Sequence, residues 1–192
     1  MSLIIAEVTD GAVYMGADTQ STIGETQKTF AVHEESLKIN KLPNGILIGH
    51  AGKAQNSQLL ANHPEWFEAL PNGTLTKEFI VMEIVPAFYR ELKKRGWLKS
   101  DSPANSDCSI LLAQGDKLFR IDRSFAVFAS GECDAIGCGS DAYFVNRVLS
   151  GTSPVRERLI TSLRLAEAYD TAIGAPFVFI DTKNMTFEFV EE

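Results

Sequence analysis

Ser2-Leu3-Ile4-Ile5-Ala6-Glu7-Val8-Thr9-Asp10-Gly11-Ala12-Val13-Tyr14-Met15-Gly16-Ala17-Asp18 is two apolar runs joined by Asp-Gly. Asp-Gly between apolar runs signals a hairpin, because a two-residue turn of the favoured kind needs positive φ at both positions. Leu3–Val8 and Ala12–Ala17 are apolar almost throughout instead of alternating, which suits strands covered on both faces. Removal of Met1 would leave Ser2 with a hydroxyl and a free α-amine on one residue. Such an amine titrates near ~7.7–8.0 and can serve as the base for its own hydroxyl. A chain whose nucleophile is its first residue begins at its active site.

Composition narrows the classes. The chain has 192 residues and is 45% hydrophobic, which suits one domain over residues 1–192 with a sizeable core. A formal net charge of −7 and a pI near 5.0 argue against nucleic acid or an anionic membrane as the main partner. No apolar run approaches the roughly 18–20 residues of a membrane span. No basic start followed by an apolar stretch and a cleavage site marks a secretory signal. Cys108, Cys133 and Cys138 form an odd, sparse set without metal-ligand spacing. They read as reduced thiols in a cytoplasmic protein.

Downstream of Asp18 the sequence turns polar from Thr19 to Ser36, an extended loop or ragged hairpin lining a cleft. Leu37–Leu42 reads as a strand, Pro43-Asn44-Gly45 as a turn, and Ile46-Leu47-Ile48 as a strand running into Gly49-His50-Ala51-Gly52. Small residues there permit close approach of another backbone. One helix is expected from about Lys53 to Leu70, broken or restarted at Pro64. A second is expected from a Thr74 or Thr76 cap to Arg95, kinked at Pro86 and stopped by Gly96. A polar loop (Lys99 to Asp107) precedes a strand pair, Ser109–Ala113 and Lys117–Asp122, and a short strand, Phe125–Ala129. Asp134–Ser140 leads into a third helix, Asp141 to Ser150, carrying Phe144, Val148 and Leu149. Pro154 starts a fourth helix ending near Tyr169, with Leu159, Ile160, Leu163 and Ala166 inward. Phe177–Ile180 and Thr186–Val190 close the chain as strands.

The order is strands, two helices, strands, two helices, strands. It fits an α+β, four-layer αββα sandwich of two antiparallel sheets flanked by helix pairs. A doubly wound parallel sheet fits less well, because the strands arrive in hairpin pairs. No phosphate loop or dinucleotide fingerprint opens a helix.

The usual hydrolase signatures are missing: there is no Gly-x-Ser-x-Gly elbow, His-Glu-x-x-His helix or Cys-x-x-Cys pair. His33, His50 and His63 have no metal spacing, and His50 reads as a bystander beside the glycine-rich turn. A serine activated by its own amine needs a nearby cation, a carboxylate to hold that cation, and a backbone donor for the oxyanion. Lys38, Asp18 and the Gly49 amide can supply those roles.

These residues carry a resemblance. The run from Ser2 to Gly16-Ala17-Asp18 resembles the start of the proteasome β-subunit and bacterial HslV peptidase family of N-terminal-nucleophile hydrolases. The family's Lys-apolar-x-x-apolar pattern falls on Lys38, Ile39 and Leu42, and its small-residue turn falls on Ile48–Gly52. A Gly-Ser-Gly turn is matched by Gly137-Cys138-Gly139, and an Asp-Ser-x-Ser-Gly motif by Asp170-Thr171-Ala172-Ile173-Gly174. The departures are a serine in place of the usual threonine, a thiol at Cys138, Ile173 in place of a hydroxyl, and a longer Asp18–Lys38 loop.

The resemblance implies a threonine-type peptidase-like enzyme acting on peptides or unfolded protein. Ser2, Asp18, Lys38, Gly49, Cys138 and Asp170 would be the catalytic set, and Ser21, Thr22 and Ala51 would bind substrate. It implies no cofactor and no metal. It implies a homo-oligomeric ring in the cytoplasm, with any ATPase unfoldase a separate protein. A catalytically inactive assembly subunit and a small-molecule amidase on the same fold are the alternatives.

Overall fold

Leu3–Thr9 (β1) and Ala12–Asp18 (β2) form the expected hairpin, with Asp10 at φ 50° and Gly11 at φ 72° in the turn. The computed structural model describes residues 2–23, 27–30, 33–98 and 104–191. Within Thr19–Ser36, Gln20–Ile23 (β3) and Gln27–Phe30 (β4) pair as a separate two-stranded ribbon, so the ragged-hairpin expectation holds for the described part. Ile39–Lys41 (β5) and Leu47–Gly52 (β6) follow, then helix α1 (Ala54–Ala61). β5 is shorter than expected, because Leu37 closes a 3-10 turn onto Glu34 and Leu42 donates to the Ile46 carbonyl.

The first expected helix ends early. A 3-10 turn restarts the chain at Pro64–Phe67. Thr76 caps the second helix, its hydroxyl accepting from the Phe79 amide at 3.1 Å. That helix runs through α2 (Lys77–Phe79), a π turn at Ile80–Ile84, and α3 (Val85–Lys94). The widened turn lies immediately before Pro86, which lacks the amide a regular turn would use. Cys108–Gln114 (β7), Lys117–Ile121 (β8), Val127–Ser130 (β9) and Cys133–Gly137 (β10) precede α4 (Ser140–Ser150) and α5 (Val155–Tyr169). Phe177–Asp181 (β11) and Glu188–Val190 (β12) complete the chain.

Two five-stranded antiparallel sheets result, ordered β10-β1-β2-β11-β12 and β5-β6-β7-β8-β9. Period-2 alternation divides their side chains among three apolar layers. Ile4, Ala6, Met15 and Ala17 meet Leu47, Ala51 and Leu111 between the sheets. Leu3, Ile5 and Phe179 pack outward against Tyr143, Leu159 and Leu163 of α4 and α5. Ile48, Ile110 and Phe119 pack on the other side against Leu60, Ile84, Phe88 and Leu92. Both faces of β1 and β2 are therefore covered, which is why their sequences do not alternate. The molecule is the expected α+β sandwich of two antiparallel sheets between helix layers.

Candidate active site

Register places the expected residues. Ile4 pairs with Ala17 in β1–β2, so Leu3 lies beside Asp18; Leu3 pairs with Gly137 in β1–β10, so Ser2 lies beside Cys138. The Leu3 amide donates to Asp18 Oδ1 at 2.8 Å, and the Ser2 carbonyl accepts from the Cys138 amide at 3.0 Å. The Cys138 Sγ lies 3.5 Å from the same carbonyl. Ser2 is half-buried and anchored on both sides by these bonds. Gly137, at φ 100°, permits the approach: a methyl group there would collide with the Ser2 carbonyl.

Lys38 enters from the other sheet, immediately before β5. Its Nζ lies 2.7 Å from Asp18 Oδ2 and 2.5 Å from the Gln20 carbonyl oxygen. Asp18 is fully buried and Lys38 nearly so. Burial pushes the Asp18 carboxyl above its ordinary value, opposed by the Lys38 ammonium and the Leu3 amide. Burial likewise lowers the Lys38 ammonium, opposed by Asp18. The pair is a desolvated cation and anion at one end of the sandwich.

Asp170 ends α5, its amide donating to the Ala166 carbonyl and its Oδ1 accepting from the Ala172 amide at 2.9 Å. It also hydrogen-bonds the Cys138 thiol. Burial, then this bond and the Asp170 charge, push that thiol up to about 11. Ile173, which stands where the family motif has a hydroxyl, is buried against the Gly139 turn. Ser2, Asp18, Lys38, Cys138 and Asp170 thus come together.

Gly49 does not join them. It pairs with Ile39 on one side and Leu111 on the other, inside β6. The His50 amide donates to the Lys38 carbonyl at 3.0 Å, so antiparallel alternation turns the Gly49 and Ala51 amides toward β7. Gly49 is glycine because a methyl group would stand 2.8 Å from Ile4 Cγ2 and from Met15 Cε. The amide that alternation directs to the Lys38 side at the strand end belongs to Gly52, at φ 116°. A side chain there would collide with the Asp107 carbonyl. The signal was available in the sequence: Ala51-Gly52 closes the small-residue run, and a strand-end glycine suits a free donor better than a mid-strand one.

The expected substrate-binding residues separate. Ala51 is buried between the sheets, beside Gly137. Ser21 is exposed on β3, and Thr22 shares that strand. Two polar residues not anticipated support the wall: Thr19 Oγ1 donates to the Pro176 carbonyl at 2.8 Å, and Gln20 Nε2 to the Thr171 carbonyl at 2.9 Å. His50 is buried, its ring hydrogen-bonded to the Leu37 backbone. Burial and the neighbouring Lys38 lower it to about 4, so it is neutral at pH 7. Among the described residues no group of three or more His, Cys, Asp and Glu side chains converges as a metal site. No helix among them is long and apolar enough to cross a membrane.

Solved structures place this architecture. BPH from Thiobacillus denitrificans superposes with a TM-score of 0.76 at 19% identity, over 93% of this chain and 96% of that one. The chain has the proteasome-type N-terminal-nucleophile hydrolase fold. Anbu, an ancestral β-subunit from Yersinia bercovieri, shares this fold at TM-score 0.68 and 17% identity, covering 99% of this chain and 87% of that one. HslV from Trypanosoma brucei shares it at 0.65 and 16%, covering 93% and 98%. The same BPH has also been solved in complex with epoxomicin. Neither a protein-family model nor a curated protein sequence matches this chain.

Proposed function

We propose that the chain is a proteasome-type N-terminal-nucleophile peptidase whose nucleophile is Ser2, freed by removal of Met1. The observation that carries this reading is the anchorage of Ser2 between the Cys138 amide and Asp18, with the same Asp18 carboxylate holding the Lys38 ammonium. The Ser2 hydroxyl attacks a peptide carbonyl while its proton passes, through water, to the α-amine. The Lys38 charge favours the neutral amine and the developing oxyanion. The amine then returns the proton to the leaving nitrogen as the C–N bond breaks, and water hydrolyses the resulting ester.

In this reading the oxyanion donor is Gly52, not Gly49. Cys138 and Asp170 hold the Ser2 backbone from behind. Substrate lies extended, with Ser21 and Thr22 on one side and Gly52 on the other, pairing as an added strand, while Ala51 turns its backbone to β7 and lies behind. The support is that Ser21 is exposed on β3, a strand that stands apart from both large sheets in a ribbon with β4.

Assembly into a homo-oligomeric ring in the cytoplasm, fed with unfolded protein by a separate ATPase, belongs to the same proposal. It is supported by the outer face of α4, where Phe144, Val145, Val148 and Leu149 are 40–80% exposed. A contiguous apolar face of this kind marks an interaction surface.

The test is the intact mass of the protein from its native host, combined with turnover of fluorogenic peptides. Loss of Met1, with hydrolysis abolished by Ser2→Ala, is expected. A retained Met1 without turnover sinks the peptidase reading. Cleavage of simple acyl amides but not peptides identifies an amidase, and assembly without any turnover identifies an inactive subunit.

A further inference from the structure

We propose that Asn56 is a positioning residue for the Gly52 amide, an inference that rests on the peptidase reading. Asn56 lies in the first turn of α1 with no accessible surface. Its Nδ2 donates to the Ser106 carbonyl at 2.6 Å, while its Oδ1 is buried with no partner among the described residues. An orphaned buried acceptor loses its hydration without a compensating hydrogen bond. An apolar side chain of the same size would avoid that cost, so the amide is kept for what its donor holds.

What it holds is the far wall of the Gly52 turn. Ser106 is itself buried, its Oγ 2.8 Å from the Cys108 carbonyl and 3.2 Å from that of Arg123, and its amide donates to Arg123 at 2.8 Å. Asp107 follows in a left-handed conformation, φ 54°, its amide donating to Asn105 Oδ1 at 2.8 Å. The Asp107 carbonyl then accepts from the Lys53 amide at 3.0 Å and stands where a Gly52 side chain would be. The peptide after Gly52 is fixed by Asp107, and Asp107 is fixed through Ser106 by Asn56. The direction of the Gly52 N–H depends on that chain of contacts, because glycine alone would leave φ free. Asn56 touches no substrate. It sets the angle of a donor whose alignment matters only as charge develops.

Asn56→Ala is measured for peptide turnover and, by hydrogen-exchange mass spectrometry, for exchange at the Lys53 amide. The expected result is kcat lowered about 10²-fold, with KM within about threefold because binding is unaltered, and Lys53 exchange accelerated. An unchanged kcat, or a loss carried by KM, overturns the proposal. Asn56→Asp covers failure of the alanine variant to fold. Its protonated carboxyl can donate to the Ser106 carbonyl and its ionised form repels it, so the ratio of variant to wild-type kcat falls as pH rises. A pH-independent ratio overturns the proposal. If the wild type turns over nothing, the peptidase reading fails by itself. Accelerated exchange at Lys53 then upholds the placement of Asn56, and unchanged exchange overturns it.

Discussion

Asp18 and Lys38 are joined at 2.7 Å across the gap between the two sheets, and both are buried. This ion pair brings the end of β2 to the start of β5, and Asp18 passes the constraint to the Leu3 amide. A desolvated pair of this kind contributes little net stability. Removal of one member, however, strands the other charge in an apolar interior.

The first prediction follows from that asymmetry. Lys38→Met should lower stability by about 3–5 kcal/mol, since Asp18 is left buried and unpaired. Asp18→Asn combined with Lys38→Met should cost clearly less than the sum of the single variants. Urea unfolding of the four proteins measures the coupling, and additive losses would rule out the buried pair.

His50 gives a pH dependence with a definite sign. Its folded value is about 4, below the ordinary 6.5, because burial and Lys38 disfavour the charged ring. Below pH 6.5 the unfolded chain binds a proton that the folded chain refuses. The His50 contribution is therefore complete above pH 6.5 and is lost progressively down to about pH 4. The difference amounts to roughly 3 kcal/mol at 1.36 kcal/mol per unit. Urea midpoints for the wild type and His50→Gln at pH 7 and pH 4.5 should show the advantage of the wild type shrinking on acidification. A constant gap would place His50 in a more exposed environment than the one described.

Legibility in the sequence followed the range of the interactions. β1 and β2 could be read because continuous apolar runs and an Asp-Gly turn are local signals. β10 was missed. Its second residue is Asp134, and an acidic residue inside a strand becomes acceptable only through distant partners. Asp134 accepts from Arg120 at 3.1 Å and from Ser130 Oγ at 2.5 Å, both on the other sheet. The sequence puts Phe144, Val148 and Leu149 on α4 as its large apolar residues. Yet Tyr143 and Asn146 are the buried residues, held by the Ala6 carbonyl and by Ser162 and the Arg158 carbonyl. Ser2, Asp18, Lys38, Cys138 and Asp170 were legible because a family pattern orders them. The proposed shift of the oxyanion donor from Gly49 to Gly52 has only a weak local signal, the strand-end glycine, since ladder direction depends on which strand lies on each side.

In the proposed assembly the exposed face of α4 is an interface. Val148 and Leu149 are about four-fifths exposed, so charges there cost the folded monomer little. Val148→Asp with Leu149→Asp should lower the mass seen by light scattering while leaving the unfolding midpoint of the monomer within about 0.5 kcal/mol of wild type. An unchanged oligomer would show that assembly uses another surface.

Cys138 should resist alkylation. With its thiol pushed up to about 11 by burial and by Asp170, the thiolate is scarce at pH 8. Reaction with iodoacetamide should be roughly 100-fold slower than for an ordinary cysteine. Asp170→Asn should accelerate it by removing the carboxylate beside the sulfur. Peptide mapping by mass spectrometry follows both rates, and rapid labelling of the wild type would contradict the Cys138–Asp170 contact.

The closest packing at the site predicts the sharpest single-residue effect. Gly137 faces the Ser2 carbonyl at φ 100°, and a methyl group there would also come within 3.2 Å of the Ala51 Cβ. The obstacle is backbone rather than a flexible side chain, so Gly137→Ala must move Ser2 and break the 3.0 Å bond from the Cys138 amide. A stability loss of about 1–3 kcal/mol is expected for the strained backbone. On the proposed peptidase reading, a loss of activity near 10²-fold is expected from displacing the Ser2 hydroxyl. Gly131 is the control, since a methyl group there meets nothing within 4 Å. Gly131→Ala should stay within about 0.5 kcal/mol of wild type and keep its activity. Urea midpoints and initial rates on one fluorogenic peptide compare the two variants. If Gly137→Ala matches Gly131→Ala in both, Ser2 is not held against β10 in the way that positions its hydroxyl.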